Sequence, residues 1–292
     1  MHIAIYGKSF DESSTSYVQD LISSLVNSNV RLSCFDNFEP YLSKRIMLPN
    51  DLSLFKDYED LKSEKPDFLI SLGGDGTMLR NVTLVRDLNI PIVGINTGRL
   101  GFLANVAKEH VEQAVEELLR GNFTIDSRTL IQLEGVEGFG DLNFALNEFT
   151  IHKKDSSSMI TIRTNVDGEY LNSYWADGLI IATPTGSTAY SLSCGGPIIS
   201  PKSNCLVINP IAPHNLNMRP IVLSDDVTID LVAEGRSNEF LVNLDSRSQT
   251  VQANTKITLK KCPFTIKKVR LPEHNFFNTI QQKLNWGVDK RN

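Results

Sequence analysis

Asp75 is flanked by glycine on both sides in Gly73-Gly74-Asp75-Gly76-Thr77, a setting that suits chemistry better than ordinary loop structure. Without Cβ atoms, Gly73, Gly74 and Gly76 permit positive φ and let phosphate oxygens approach the main chain closely. A helix starting near Gly76 would add unpaired N–H donors and a partial positive charge. A carboxylate among such donors repels a bound anion unless it takes a proton or meets a metal, so Asp75 reads as a chemical residue. The bland alternative is an N-cap, a common use of Asp. The loop fits neither familiar phosphate motif. The chain has no G-x-x-x-x-G-K-[ST], and Leu79 stands where a dinucleotide fingerprint needs its third glycine.

A second chemical stretch runs from Thr183 to Ser193 and continues into Gly195-Gly196-Pro197. Its seven hydroxyl side chains in eleven positions compete for backbone hydrogen bonds, which makes a poor core strand or helix interior and suits a polar ligand better. Tyr190 offers a surface for a base, or equally a core aromatic. Asp177-Gly178 lies upstream, and the apolar strand Leu179-Ile180-Ile181-Ala182 would carry acid and hydroxyls to opposite ends of one pocket. Asn147-Glu148 interrupts another apolar strand. Alternation forbids both side chains from facing one side unless the strand ends or bulges there. Together they offer donor and acceptor atoms to a ribose or base edge, although alone the pair reads as surface.

These residues need elements to hold them. Over residues 1–122 a strand-helix alternation predicts an α/β domain with an open, mostly parallel sheet. Strands are expected at His2–Gly7, Phe68–Leu72 and Pro91–Ile95, with helical stripes at Tyr17, Val18, Leu21, Ile22, Leu25 and Val26, at Met78, Leu79, Val82, Val85 and Leu88, and at Val111 to Leu119, closed by Gly121. In such sheets ligands sit beyond the carboxyl ends of strands, where Gly73 to Thr77 falls. The polar stretch from Phe35 to Lys65 is expected to be a long loop or mobile flap. Over residues 123–270 short strands predict a β-rich domain, with a hairpin turning at Asp167-Gly168. The tail, 271–292, has Phe276, Phe277, Ile280, Leu284 and Trp286 at helical spacing and should pack back on the body.

The 292 residues are 41% hydrophobic and 22% charged, and a net charge of −5 leaves no electrostatic footprint for nucleic acid. Four scattered cysteines and five histidines form no zinc-binding spacing. No apolar run reaches the ~18 residues of a membrane span, and no leader pattern precedes Ile3, so a cytoplasmic location is expected.

In order and spacing, Gly73 to Thr77, Asn147-Glu148, Asp177-Gly178 and Thr183 to Pro197 resemble the NAD kinase family across most of the chain. Gly94-Ile95-Asn96-Thr97-Gly98-Arg99-Leu100-Gly101-Phe102-Leu103 is similar to that family's third-strand segment. The glycine loop alone is shared with lipid kinases and, in similar form, with 6-phosphofructokinases. The hydroxyl-rich run is the specific signal. The resemblance implies an N-terminal α/β domain and a β-rich C-terminal domain with the site between them. It implies phosphoryl transfer from ATP, or another donor carried with Mg²⁺, to the 2′-hydroxyl of NAD's adenosine ribose. Asp75 would activate that hydroxyl, with Gly76 and Arg80 beside it and Gly73, Gly74, Gly76 and Thr77 as the phosphate loop. Asn147 and Glu148 would contact the dinucleotide, and Asp177 would approach the nicotinamide side. Thr188, Ala189, Tyr190, Ser191, Leu192 and Ser193 would line the adenosine pocket with Ala212. A dimer or tetramer is implied too. Two positions depart from the family pattern: Trp175 stands where a basic residue is common, and Asp245-Ser246-Arg247 replaces Asp-Gly-Gln, so that Arg247 joins the candidate residues. The alternatives are a lipid kinase, which would carry a membrane-facing patch, and a non-catalytic NAD or NADPH sensor, which would lack the acid at Asp75.

Overall fold

The computed structural model describes residues 1–154, 158–272 and 275–287. The chain forms two compact units, Met1–Ser127 with the chain from Ile266 onward, and Arg128–Thr265. In the first, β1 (His2–Gly7), α1 (Thr15–Asn27), β2 (Arg31–Phe35), α2 (Glu39–Leu42), β3 (Ser53–Phe55), α3 (Tyr58–Glu64), β4 (Phe68–Leu72), α4 (Asp75–Val85), β5 (Ile92–Asn96), β6 (Val106–Ala107) and α5 (Val111–Leu119) follow in order. The parallel sheet runs β5-β4-β1-β2-β3. Three of its strands, β1, β4 and β5, are buried along their whole length, as a sheet covered on both faces requires. Val18, Leu21, Ile22 and Leu25 of α1 and Val111, Ala114, Val115 and Leu118 of α5 share one core with Ile3, Ile5, Ile70 and Ile95. Val26, the last member of the predicted α1 stripe, is exposed. Gly121 ends α5 with a φ of +74°.

The segment expected to be a flap is folded: α2, β3 and α3 occupy it. Its polar composition hides three local signals. Pro40 sits in the first turn of α2, where its missing N–H costs nothing. The Asp57 carboxylate caps α3, accepting from the N–H groups of Glu59 and Asp60 at 3.0 and 3.2 Å. The sparse apolar residues Phe38, Leu42, Phe55 and Leu61 are all fully buried.

The second unit is antiparallel. The chain enters it within β7 (Thr124–Glu134) and continues through β8 (Phe144–Ala145), β9 (Glu148–Lys153), β10 (Ile160–Val166), β11 (Glu169–Ala176), β12 (Gly178–Ala182), α6 (Tyr190–Ser193), β13 (Cys205–Ile211), β14 (Ile221–Ser224), β15 (Ile229–Glu234), β16 (Glu239–Leu244), β17 (Arg247–Gln252) and β18 (Lys256–Arg270). One sheet runs β14-β13-β12-β9-β16-β17, and the strands β11-β10-β15-β18 form another series. Phe149, Ile151, Ile162, Leu179, Ile181, Leu231 and Phe240 meet in a common core. At the predicted hairpin Asp167 and Gly168 both have positive φ, +50° and +83°, as a type I′ turn demands. In this unit β14 and β17 were not expected: β14 is four residues long with none buried, and β17 buries only Val251, so neither shows a buried apolar alternation.

The chain returns to the first unit within β18, where Lys268 pairs in parallel with Ile92 of β5. It then forms α7 (Phe276–Leu284), capped by Asn275, whose side chain accepts from the Asn278 N–H at 2.8 Å. Of the predicted tail stripe, Ile280 is buried while Phe277 and Trp286 are exposed. Residues 288–292 of that tail lie outside the described residues. No described helix is long and apolar enough to cross a membrane. Replacing the α3 cap, Asp57→Ala, should lower unfolding stability by about 1 kcal/mol in urea titrations; an unchanged midpoint would return residues 35–65 to the status of a loop.

Candidate active site

Gly74 is the N-cap of α4 and Asp75 its first residue, so the acid is not the helix cap. The N–H groups of Thr77 and Met78 bond to the Gly74 carbonyl. Those of Asp75 and Gly76, at the first two helical positions, have no carbonyl a turn before them. Of the loop's glycines, Gly73 alone has positive φ, +150°. Gly74 and Gly76 instead provide room: a Cβ on either would meet nothing within 4 Å. Burial raises the pKa of the Tyr6 hydroxyl, and Arg80, exposed one turn along α4, pulls it back.

The half-buried Asp75 carboxylate accepts three backbone N–H groups in sequence. Phe102 donates to Oδ2 at 2.9 Å, and Leu103 and Ala104 donate to Oδ1 at 2.9 and 3.0 Å. Charge-assisted bonds of this kind orient an acid firmly. They leave Oδ2 with spare acceptor capacity. Two glycines permit the approach: a Cβ on Gly101 would stand 1.9 Å from Asp75 Oδ1, and one on Gly94 would stand 2.8 Å from the Ala104 Cα. Asn96, buried at the end of β5, ties the loop together. Its Nδ2 donates to the carbonyls of Arg99 and Ala104 at 2.7 and 3.2 Å, and its Oδ1 accepts from the Gly98 N–H at 2.7 Å. Asn96 was not among the candidate residues, although an Asn two places before a glycine is an Asx-turn signal.

In the second unit the chain breaks between β8 and β9, and Asp245 holds the break. Its carboxylate accepts the N–H groups of Leu146, Asn147 and Glu148 at 2.9, 2.8 and 3.2 Å. The surface reading of the Asn147-Glu148 pair fails for Glu148, which is buried. Burial, and next the negative charge of Asp245, push the Glu148 carboxyl up to about 8, while the Tyr190 backbone N–H pulls it down. Glu148 pairs with Ala182 across the sheet, which brings it to the start of the hydroxyl-rich run. At the other end of β12, Asp177 forms an ion pair with Lys153 at 2.5 Å. Its backbone N–H bonds to the Ile211 carbonyl, beside Ala212, whose φ of +44° is unusual for alanine. The Tyr190 ring is partly exposed and stacks on His152 at 5.8 Å between centroids.

Several of the hydroxyls turn inward. Thr183 donates to the Leu146 carbonyl at 2.6 Å, Ser187 donates to the Pro184 carbonyl at 2.7 Å, and Asn209 Nδ2 donates to the oxygens of Ser191 at 2.9 and 3.1 Å. All three side chains are fully buried. They shape the turn, while Thr188, Ala189, Tyr190, Leu192 and Ser193 keep exposed surface. Arg247 likewise faces the protein, donating to the carbonyls of Leu142 and Phe144. Trp175 is exposed and lies against His214, with ring centroids 4.2 Å apart. Among the described residues no group of three or more His, Cys, Asp or Glu side chains is placed to hold a metal ion.

Known proteins share this chain's sequence and fold. Residues 9–123 match the family model of the ATP-NAD kinase N-terminal domain, and residues 146–271 that of the C-terminal domain. A protein named NAD kinase from Cytophaga hutchinsonii is 49% identical over 294 residues, covering all of both chains. The crystal structure of yeast NADH kinase complexed with NADH shares the fold, with a TM-score of 0.86 over 99% of this chain and 89% of that one, at 24% identity. An NAD kinase from Archaeoglobus fulgidus in complex with ATP has a TM-score of 0.77 at 27% identity, over 98% of this chain and 99% of its own. The chain belongs to the NAD kinase family.

Proposed function

We propose that this chain phosphorylates the 2′-hydroxyl of the adenosine ribose of NAD, with ATP or another phosphoryl donor, to give NADP. The observation that carries the reading is Asp75, fixed by three amides with acceptor capacity left on Oδ2, at the start of a helix whose first N–H groups suit a phosphate. The ribose oxygen attacks the donor's terminal phosphorus, and the bond to the leaving phosphate breaks with its electron pair. The ribose proton passes to Asp75 Oδ2. Aspartate is too weak a base to ionise an alcohol outright, so it accepts the proton as the new oxygen–phosphorus bond forms. A divalent ion such as Mg²⁺, carried on the donor's phosphates, neutralises charge there when bound.

Asn147, Glu148, Asp177, Ala212 and the exposed members of the 188–193 run are the dinucleotide contacts in this reading, with Tyr190 as base platform. A protonated Glu148 would donate a hydrogen bond to a ribose or phosphate oxygen. Arg247 and Ser191 would act by shaping the pocket. The lipid-kinase alternative draws no support from the family match, and the retained Asp75 argues against a pure sensor. A dimer or tetramer is supported by the edge strand β11, which leaves Tyr170 and Trp175 exposed. A cytoplasmic location remains part of the proposal.

Asp75→Asn should keep NAD affinity, measured by calorimetry, and lower kcat by about 10²- to 10⁴-fold; near-normal turnover would refute the assignment. Glu148 gives a pH test of the opposite sign from an ordinary carboxylate. Because its folded pKa is raised from 4.5 to about 8, the folded chain keeps a proton that the unfolded chain has lost. Its contribution to stability therefore falls as pH rises between those values and levels off above about 8. Glu148→Gln should flatten the fall in melting temperature across that window, and should remove a rise in KM for NAD near pH 8. Parallel curves for the two proteins would contradict the raised pKa.

A further inference from the structure

Resting on the reading of Asp75 as the base, we propose that α7 is a positioning brace for it, acting through the segment Leu100 to Ala104 whose amides hold the carboxylate. The same segment also meets the helix. Lys283 Nζ donates to the Leu100 carbonyl at 3.0 Å and sits 5.3 Å from the centroid of the Phe102 ring. The Phe276 ring lies 6.3 Å from that same ring. Beneath them Lys268 Nζ reaches the Phe102 carbonyl at 3.5 Å. The carbonyls of Leu100 and Phe102 are thus held by lysines while the N–H groups of Phe102, Leu103 and Ala104 go to Asp75, successive amides converging on one anion.

The support is narrow. A cavity of about 210 Å³ is lined by Leu100, Asn105, Ala107 and His110 and by Asn278 and Thr279 of α7. Thr279 and Ile280 bury α7 against its surroundings, while Phe276 and Lys283 are its contacts with the segment itself. The segment contains Gly101 and follows Gly98, so without backing it has conformational freedom to regain. Asp75 would then lose its fixed orientation without losing its charge. Displacement of a reacting group by about 1 Å can cost on the order of 10²-fold in rate.

The test uses the full-length protein. Lys283→Ala and Phe276→Ala should each lower kcat about five- to tenfold, with KM for NAD and ATP within about twofold. Lys283→Arg should restore most of the rate, and Gln281→Ala, on the exposed side of α7, should change nothing. Amide exchange at Phe102, Leu103 and Ala104 should accelerate in Lys283→Ala, a readout independent of turnover. In an Asp75→Asn background Lys283→Ala should have no further effect on kcat, since no base remains to be displaced. Wild-type kcat and exchange in both α7 variants, or an equal loss of rate in the Asp75→Asn background, would overturn the brace. Normal turnover of Asp75→Asn alone would instead remove the base assignment beneath it.

Discussion

A carboxylate that accepts three consecutive backbone N–H groups recurs in each unit and fixes the local geometry on which the rest depends. In the first, Asp75 takes the amides of Phe102 to Ala104; in the second, Asp245 takes those of Leu146 to Glu148. The same interaction serves two ends. Asp245 is spent on structure, because its bonds stabilise the break between β8 and β9 and turn Glu148 inward. Asp75 sits at the mouth of a helix and a glycine loop, where an oriented acid can do chemistry. Positioning of this kind matters because phosphoryl transfer asks little covalent work of the protein and much alignment.

The cradle around Asp75 is built by omission as much as by contact. Gly94 lacks the side chain that would keep Leu103 and Ala104 from crossing β5, and Gly101 lacks the one that would strike the acid. Asn96 then fills the remaining polar requirements of the loop. In the second unit the hydroxyl-rich run follows similar logic. Thr183, Ser187 and Ser191 spend their hydroxyls on neighbouring main chain and on Asn209, and their burial frees the surface around Tyr190.

How much of this the sequence discloses depends on the range of the determining interaction. The strand-helix alternation of the first unit, the Asp167-Gly168 hairpin and the glycine loop with its acid are local patterns, found where periodicity and turn chemistry place them except that α4 ends at Val85, short of Leu88. The folding of residues 35–65 was hidden because five buried apolar residues, Phe38, Leu42, Ile46, Phe55 and Leu61, are spread thinly through polar chain. The inward turn of Ser191 and of Arg247 was hidden because their partners, Asn209 and the carbonyls of Leu142 and Phe144, are remote in sequence. Likewise nothing near Asp75 announces that its amide donors come from 27 to 29 residues downstream. Composition shows that such residues are polar; only tertiary structure decides what they meet.

In this mechanism Asp75, held through Oδ1, receives a proton from the ribose through Oδ2. A crystal structure with NAD and a non-hydrolysable ATP analogue measures this directly. The adenosine 2′-oxygen should lie within about 2.6–3.2 Å of Oδ2, with Leu103 and Ala104 still donating to Oδ1. A 2′-oxygen out of hydrogen-bond reach of Asp75, and bonded instead to a different acid or histidine, would contradict it.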